Sequence, residues 1–410
     1  MASVAPSPGD EKPSFDLNLQ HGHKDLVQAV AFNTYGDRCA TGSVDGKIRV
    51  FNRHRDGTWR LCDTWSAHAG EVLELQWLPA TVYPNLLASL GIEGWFRLWA
   101  EDPSAAPGRR FSAGGGGSRL TSSASASASA SASASASASA SASASAPAPA
   151  SASASASRPA FGTRAGSGKA PYRSFSMRHV DDGAARHTYL ALLAADGRLT
   201  VLENDQPENL SEYTPVDEFA VCARPPRGEE VSFRVRFDPN PEPCYAALRA
   251  GVPSDALGLA VAAMDSLRVY RSRDVVTVSY GVQSVRKEFY LAVDIPGGPG
   301  ADHRGLIRDV AWAPGNIRGY DTVATACQDG FARDRLWTGQ PGQVKHQSRL
   351  VSKLGSSSRH PVWRVGFDDD GHILGTTGDD GKLLCYRQTP DGSWVKSSEL
   401  AMVKTRMAAP

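Results

Sequence analysis

The chain has 410 residues, and its 44 basic side chains balance 43 acidic ones at a formal net charge of +1. This balance gives no reason to expect a nucleic-acid or anionic-membrane partner, and a hydrophobic fraction of 41% with nine Trp is enough for a large core. No apolar run reaches the ~18 residues of a membrane span, and Met1 to Pro13 lack the apolar stretch of a secretory leader. We therefore expect a soluble protein with a disordered tail over residues 1–13.

The first two repeats are the clearest in the chain. In each, short apolar runs alternate with tight turns, which predicts three strands per repeat. The strands of the first repeat are expected at 26–32, 38–43 and 47–51, and those of the second at 71–77, 86–90 and 95–99. A more polar outer strand is expected at 59–65.

A biased segment follows the second repeat. Residues 112–170 are mostly Gly, Ser and Ala, with uninterrupted Ser-Ala alternation over 123–146. Such a segment has few large apolar side chains with which to offset the entropy of ordering its backbone. We expect a disordered loop that interrupts a single domain spanning 14–410.

The later repeats differ in clarity. Repeats three and four are degenerate, and their inner strands are placed near 175–179 and 231–237. Repeats five and six return to the pattern, with strands expected at 305–312, 322–327, 331–337, 362–367, 373–377 and 382–386. Outer strands are expected at 212–219, 287–293, 344–351 and 394–402.

All six repeats contain the same acidic turn between an apolar run and a second run that ends on an aromatic residue or Leu. These turns begin at Asp45, Glu93, Asp196, Asp265, Asp329 and Asp380. Self-similarity at this period is typical of a β-propeller, in which each repeat forms one four-stranded blade. The predicted fold class is all-β, a WD40 β-propeller of six blades.

Four histidines precede inner strands and lie in the same repeats as acidic turns: His23, His68, His303 and His360. A metal site or an acid–base pair is one interpretation. We prefer a structural one, in which the His, the turn acid, a strand Ser or Thr and the third-strand aromatic form a chain of hydrogen bonds that locks each blade. The network residues predicted in this way are His23, Asp45, His68, Trp99, His303, Thr325, Asp329, Trp337 and Asp380.

Repeat five departs from the common spacing. Asp329 lies eight residues before Trp337, whereas the corresponding interval in repeats one, two and six is six residues. Two extra residues predict a bulge or a lengthened turn.

The sequence contains no nucleophile elbow, P-loop, metal-spaced His pair or dinucleotide fingerprint. The six cysteines are far apart and form no CxxC pair, so we expect reduced thiols. We therefore expect neither enzymatic activity nor a cofactor or metal. Two alternatives stay open: an adaptor that binds peptides at the channel mouth, and an enzyme with titratable groups converging there.

Several phrases, in order along the chain, carry a family resemblance. They are GHKDLV at 22–27, KIRVF at 47–51, WSAH at 65–68, RLWAEDP at 97–103, LIRDVAWAP at 306–314 and GDDGK at 378–382. With these phrases the chain resembles the Seh-one family of WD-repeat nucleoporins, the Sec-thirteen homologues of the Y-shaped nuclear pore coat complex. The sister family, the Sec-thirteen propellers of the vesicle coat, is the alternative and is approached near 362–364 and 391–394.

The resemblance implies a non-catalytic scaffold in the outer ring of the nuclear pore complex, located at the nuclear envelope. It implies as partner an α-solenoid nucleoporin of the Nup-eighty-five type, which inserts a seventh blade, together with other Y-complex nucleoporins. It also implies a second complex at the vacuole or lysosome membrane surface, where a subunit of the nutrient-signalling coat that regulates TORC1 inserts in the same way.

The residues themselves also predict an open ring. The last repeat has its own outer strand, while the alternating segment 15–19 has no blade to join. An unclosed ring leaves unpaired strand edges that invite strand addition. The partner-binding residues predicted at this gap are Phe15, Leu17, Leu19, Val27, Val30, Phe32, Val362, Val365 and Phe367.

Overall fold

The computed structural model describes residues 19–83, 85–106, 108–111, 159–181, 183, 186–279, 282–298, 300–315, 319–338, 347–355 and 360–401. The predicted tail at 1–13, the Ser-Ala alternation at 123–146, and Phe15 and Leu17 lie outside the described residues.

The described strands form six four-stranded antiparallel sheets, each built from consecutive strands. Blades 1 and 2 consist of β1 Val27–Phe32, β2 Arg38–Ser43, β3 Lys47–Arg53, β4 Trp59–Ser66, β5 Val72–Trp77, β6 Leu86–Gly91, β7 Trp95–Ala100 and β8 Phe161–Arg164. Blades 3 and 4 consist of β9 Tyr172–Asp181, β10 Arg186–Ala194, β11 Arg198–Asn204, β12 Thr214–Ala220, β13 Phe233–Phe237, β14 Gly258–Ala263, β15 Ser266–Ser279 and β16 Val282–Ile295. Blades 5 and 6 consist of β17 Ile307–Trp312, β18 Thr322–Cys327, β19 Ala332–Thr338, β20 Gln347–Leu354, β21 Val362–Phe367, β22 Ile373–Gly378, β23 Lys382–Gln388 and β24 Trp394–Ala401. The six-bladed propeller is confirmed.

The second blade corrects one boundary. Residues 112–170 were expected to be a disordered loop throughout, yet β8, Phe161–Arg164, is the outer strand of blade 2 and pairs with β7. Phe161 lies opposite Leu98 and contacts the rings of Phe96 and Tyr213. The strand that follows the small-residue tract therefore packs through one aromatic side chain.

Blade 5 corrects a second prediction. In its β18–β19 hairpin the last pair, Ala326 and Ala332, encloses five residues, as Gly42 and Ile48 do in blade 1. The turn is therefore not lengthened. The bulge in the pairing of β19 lies on its outer side, between Asp334 and Arg335, and four other blades have it at the same place.

Apolar clusters join each blade to the next one along the chain. Between blades 2 and 3, for example, Leu90 and Phe96 pack with Phe175 of β9 in one fully buried cluster. Equivalent clusters join blades 1 and 2, 3 and 4, 4 and 5, and 5 and 6. Each fully buried Leu, Val or Phe in them contributes about 1.5–3 kcal/mol relative to exposure, so the blade-to-blade contacts hold the ring together.

Helical structure contributes little to the described part of the chain. Its α-helix, α1 Tyr245–Arg249, lies in the connection between β13 and β14. Within the described residues, no helix has the length and apolar character needed to cross a bilayer.

Candidate partner-binding site

The first and last blades meet at a junction between β1 and β21, which is called the seam below. Among the described residues no apolar cluster joins these two blades, although one joins every other consecutive pair. A hydrogen bond crosses the seam from the Arg364 guanidinium to the Gln28 carbonyl oxygen at 3.2 Å. The inner strands of blades 6 and 1 therefore approach each other while their apolar faces stay apart.

On the blade 1 side, the seam exposes apolar side chains that are covered elsewhere in the ring. Val30 pairs with Thr41 and is 55% exposed, and Phe32 is 57% exposed. Val310, which holds the same register position in blade 5 opposite Thr325, is only 1% exposed because blade 4 covers it. Val30 and Phe32 therefore occupy positions that a preceding blade normally buries.

On the blade 6 side, the face turned away from blade 5 carries small side chains. Gly366 of β21 pairs with Gly375, and the added Cβ of an alanine at Gly366 would meet nothing within 4 Å. Farther out on the same face Leu383 pairs with Leu400, which is 45% exposed. This face is therefore only partly covered by the described residues.

Three of the residues predicted at the gap on β21 face the other way. Val365 is 8% exposed and belongs to the cluster between blades 5 and 6, against which Val362 and Phe367 also pack. The prediction for these three side chains is wrong, because an apolar residue on the last inner strand is covered by the preceding blade. The seam face of β21 carries Arg364 and Gly366 instead.

The remaining predicted residues are placed as follows. Val30 and Phe32 lie on the seam face, and Leu19 and Val27 are half-buried. Partner binding by these residues stays a prediction.

Among the described residues, one kind of hydrogen bond links the inner strands of three of the five consecutive blade pairs, 2–3, 3–4 and 5–6. In it, a polar side chain on one inner strand accepts the N–H of the residue that holds the Val30 position in the next blade. The bonds run from Phe175 N to Glu74 at 2.8 Å, from Val235 N to Ser174 at 3.1 Å and from Val365 N to Asp309 at 3.3 Å. At the seam, no side chain of the described residues accepts the N–H of Val30.

The wall of the central channel carries buried charges that pair with one another. The Glu74 carboxylate lies 3.2 Å from the Arg234 guanidinium and 3.3 Å from that of Arg236. Burial alone would raise the pKa of Glu74, but Arg236 and Arg234 outweigh it and hold that pKa below its ordinary value. These charges satisfy one another, which is what a structural wall requires.

A funnel of about 490 Å³ opens at one end of the channel, lined by the ends of inner strands of blades 2 to 6. Within the described residues, no three His, Cys, Asp or Glu side chains converge in a way that could hold a metal ion.

The predicted blade network is complete in blade 2. Trp99 Nε1 donates to Ser89 Oγ at 2.8 Å, Ser89 Oγ lies 2.8 Å from His68 Nε2, and His68 Nδ1 lies 2.7 Å from Glu93. Burial lowers the pKa of His68 against the opposing effect of Glu93, so the ring is neutral, with its Nδ1–H donating to the carboxylate. Burial by itself would raise the pKa of Glu93, but the bond with His68 brings it below its usual value.

Blade 1 has a shorter version of this chain. His23 Nε2 lies 2.9 Å from Thr41 Oγ1, and His23 Nδ1 lies 3.4 Å from Asp45. Asp45 also accepts the backbone N–H groups of Lys24 and Lys47, which close the turn.

In blade 5 the network differs from the prediction. His303 Nε2 lies 2.9 Å from Thr325 Oγ1 as expected, while Asp329 pairs with the buried guanidinium of Arg333. Arg335 is the register partner of Val323, as Trp99 is of Leu87. Trp337 therefore lies two positions beyond the register position of the network aromatic, so the prediction that it holds that position is wrong.

In blade 6, Asp380 accepts the Lys382 N–H at 3.1 Å and His360 is exposed. The acid therefore closes the turn as Asp45, Asp196 and Asp329 do in blades 1, 3 and 5.

The sequence prediction missed a recurring arginine on the third strand. Arg97 donates to the carbonyl of Ala67, and Arg268 donates to the equivalent carbonyl of Val221 at 2.7 Å. Each thereby ties its blade to the connection that enters from the preceding blade. In repeat two the signal was visible in the sequence as an Arg two residues after the turn Gly-Trp.

Comparison with known proteins places this geometry in a family. Residues 15–52 match the family model described as "WD domain, G-beta repeat". Nucleoporin SEH1 of Chaetomium thermophilum is 50% identical over an alignment that covers 98% of this chain and 97% of that protein. Nucleoporin SEH1 of Saccharomyces cerevisiae is 24% identical, covering 90% and 94%, and nucleoporin SEH1 of Homo sapiens is 20% identical, covering 91% and 84%.

Proposed function

Because this chain belongs to the SEH1 family of nucleoporins, we propose that it is a non-catalytic scaffold of the nuclear pore complex that accepts a β-blade from an α-solenoid nucleoporin at the seam. The solenoid partner is expected to be of the Nup-eighty-five type, within the outer-ring Y complex. Nuclear pore localisation follows from membership of a nucleoporin family.

The exposed inner strand β1 is the observation that carries the proposal. Val30 is 55% exposed where its blade 5 counterpart Val310 is 1% exposed. The N–H of Val30, which no side chain of the described residues accepts, and two exposed apolar side chains are the groups that an added strand would satisfy and bury. Such an insertion is expected to bury more than the roughly 1,600 Å² of an ordinary interface.

A second assembly is compatible with the same site. The seam can hold one inserted blade at a time, so a subunit of a vacuolar or lysosomal nutrient-signalling coat would compete with the solenoid nucleoporin. The two complexes are then mutually exclusive for any one molecule.

The adaptor alternative would use the channel funnel instead of the seam. The two sites are separable, because the funnel is lined by residues such as Arg178 and Asp238, whereas the seam exposes Val30 and Phe32. Loss of binding on changing the funnel but not the seam would favour the adaptor.

The test of insertion uses two exposed valines with similar exposure. Val30→Glu places a charge on the seam face, and Val276→Glu places the same charge on the β15–β16 hairpin, where Val276 is 52% exposed. The tagged full-length variants are compared for co-purification of the solenoid nucleoporin and for melting temperature alone and in the complex. We expect Val30→Glu alone to lose the partner, and binding of that partner to raise the melting temperature of the wild type.

Both free variants should melt within a few degrees of wild type, since surface changes away from structural contacts cost about 0.5 kcal/mol or less. Equal recovery of the solenoid partner with both variants would refute insertion at the seam.

A further inference from the structure

In blade 5, one acidic side chain contacts both an arginine of blade 4 and a backbone N–H of blade 6. On its one side, blade 4 carries Arg234 immediately before Val235; on its other side, Val365 presents its N–H. Asp309 of blade 5 contacts both groups, because its carboxylate accepts the Val365 N–H at 3.3 Å and lies 3.8 Å from the Arg234 guanidinium. One carboxylate therefore interacts with both neighbouring blades.

The seam presents the same pair of groups without the acid. Arg364 immediately precedes Val365 and so holds in blade 6 the position that Arg234 holds in blade 4. Val30 holds in blade 1 the position that Val365 holds in blade 6, each opposite a threonine of the second strand. Arg364 donates to the Gln28 carbonyl, a neutral acceptor, at 3.2 Å.

We propose that the strand inserted at the seam carries an Asp or Glu immediately before an apolar residue. The carboxylate accepts the N–H of Val30 and forms an ion pair with Arg364, and the apolar residue packs on the Gly366–Gly375 face of blade 6. This inference rests on the proposed blade insertion and specifies the chemistry of its partner.

A carboxylate is required here, and a hydroxyl would not be enough. In blade 3, Ser174 accepts the Val235 N–H, but the preceding blade there offers the acid Glu74 and no arginine at the same position. At the seam, insertion buries the Arg364 guanidinium, and the acid whose charge it already influences is Glu74. That carboxylate is paired with Arg234 at 3.2 Å and with Arg236 at 3.3 Å, so a third buried cation that shares it is unfavourable without a further acid. Charge-assisted bonds to N–H groups are also stronger than neutral ones.

The first experiment identifies the inserted strand. The tagged full-length chain, with p-benzoylphenylalanine in place of Phe32, is irradiated in its own cells, and the cross-linked peptide is sequenced. We expect an adduct in an extended segment that contains Asp or Glu followed by an apolar residue. A cross-linked strand that lacks an acid at that place would overturn the proposal.

The second experiment tests the ion pair with the solenoid nucleoporin identified by that cross-link. Arg364→Glu and Arg364→Met are expected to weaken binding about 30-fold or more, and replacement of the partner's acid by Lys should restore binding to Arg364→Glu only. Arg227→Glu, in an exposed connection between blades 3 and 4, makes the same charge change away from the seam and should leave affinity unchanged.

Hydrogen exchange separates the two levels of the argument. Protection of the Val30 amide in the wild-type complex, combined with unchanged affinity of both Arg364 variants, would refute the acid and leave insertion standing. Absence of any protection along β1 would refute insertion itself.

Discussion

The two bonds that Ser89 makes in the core of blade 2 give a quantitative prediction. Its hydroxyl accepts from Trp99 Nε1 at 2.8 Å and lies 2.8 Å from His68 Nε2, and all three residues are buried. Ser89→Ala leaves an indole donor and an imidazole acceptor without a partner. At about 1–3 kcal/mol for each of the two buried unsatisfied groups, we expect the free energy of unfolding to fall by about 2–6 kcal/mol.

Blade 1 supplies the matched comparison. Thr41 holds the Ser89 position and bonds His23 at 2.9 Å, but Phe51 in place of a Trp has no N–H to lose. Thr41→Val removes the hydroxyl and keeps the volume, so it should cost only about 1–2 kcal/mol. The difference between the two losses in unfolding free energy measures the contribution of the hydrogen bond from Trp99 to Ser89.

Urea unfolding followed by tryptophan fluorescence measures both variants, with hydrogen exchange of the β6 amides as a local check. Trp99→Phe should cost less in the Ser89→Ala background than in wild type, because its donor has already lost the acceptor. Equal costs for Ser89→Ala and Thr41→Val, within about 0.5 kcal/mol, would refute the reasoning.

Three other predictions concern the fold. Burial holds the pKa of His68 below 6.5, so the unfolded state takes up the proton first as the pH falls. The stability advantage of wild type over His68→Gln should therefore be full above about pH 6.5 and shrink below it. Urea midpoints measured across that pH range will show this. Arg271→Met strips two buried carboxylates of the guanidinium 2.8 and 2.5 Å away and should cost about 3–5 kcal/mol in the same assay. In Gly46→Ala the new Cβ would clash with a backbone oxygen, and the residue keeps a φ of +74°. In Gly57→Ala the residue has a φ of +81° but its Cβ enters open space, so the Gly46→Ala protein should melt at a clearly lower temperature than the Gly57→Ala protein.

The sequence predicted the strands of the blades that have clear periodicity. It did not predict features that depend on how one blade packs against the next. The first strands of repeats one, two, five and six were placed within two residues of the observed bounds, because their apolar runs are short and end before a glycine turn or, in repeat two, before a proline. Strand β8 was missed because it has four residues and follows a tract that offers no periodicity.

The errors at the candidate site have a different cause. Alternation along β21 shows that Val365 and Phe367 share a face, but it does not show which blade covers that face. The assignment of Trp337 to the network relied on counting from the turn, and the register shows that the aromatic position of this blade is taken by Arg335. The contact of Arg364 with the Gln28 carbonyl oxygen across the seam depends on how blades 6 and 1 are placed relative to each other, and so was beyond the sequence.

The bulge shared by the outer pair of strands in five blades bears on solubility. A propeller presents one outward rim strand per blade, and a flat rim would be a template for end-to-end polymerisation. A bulge at this place bends and twists the rim strand away from the straight geometry that stacking between molecules requires. In blade 2 the described pairs of β7 and β8 run from Trp95 to Leu98 without a register shift, and the described rim strand has four residues, which gives a neighbouring molecule little to pair with.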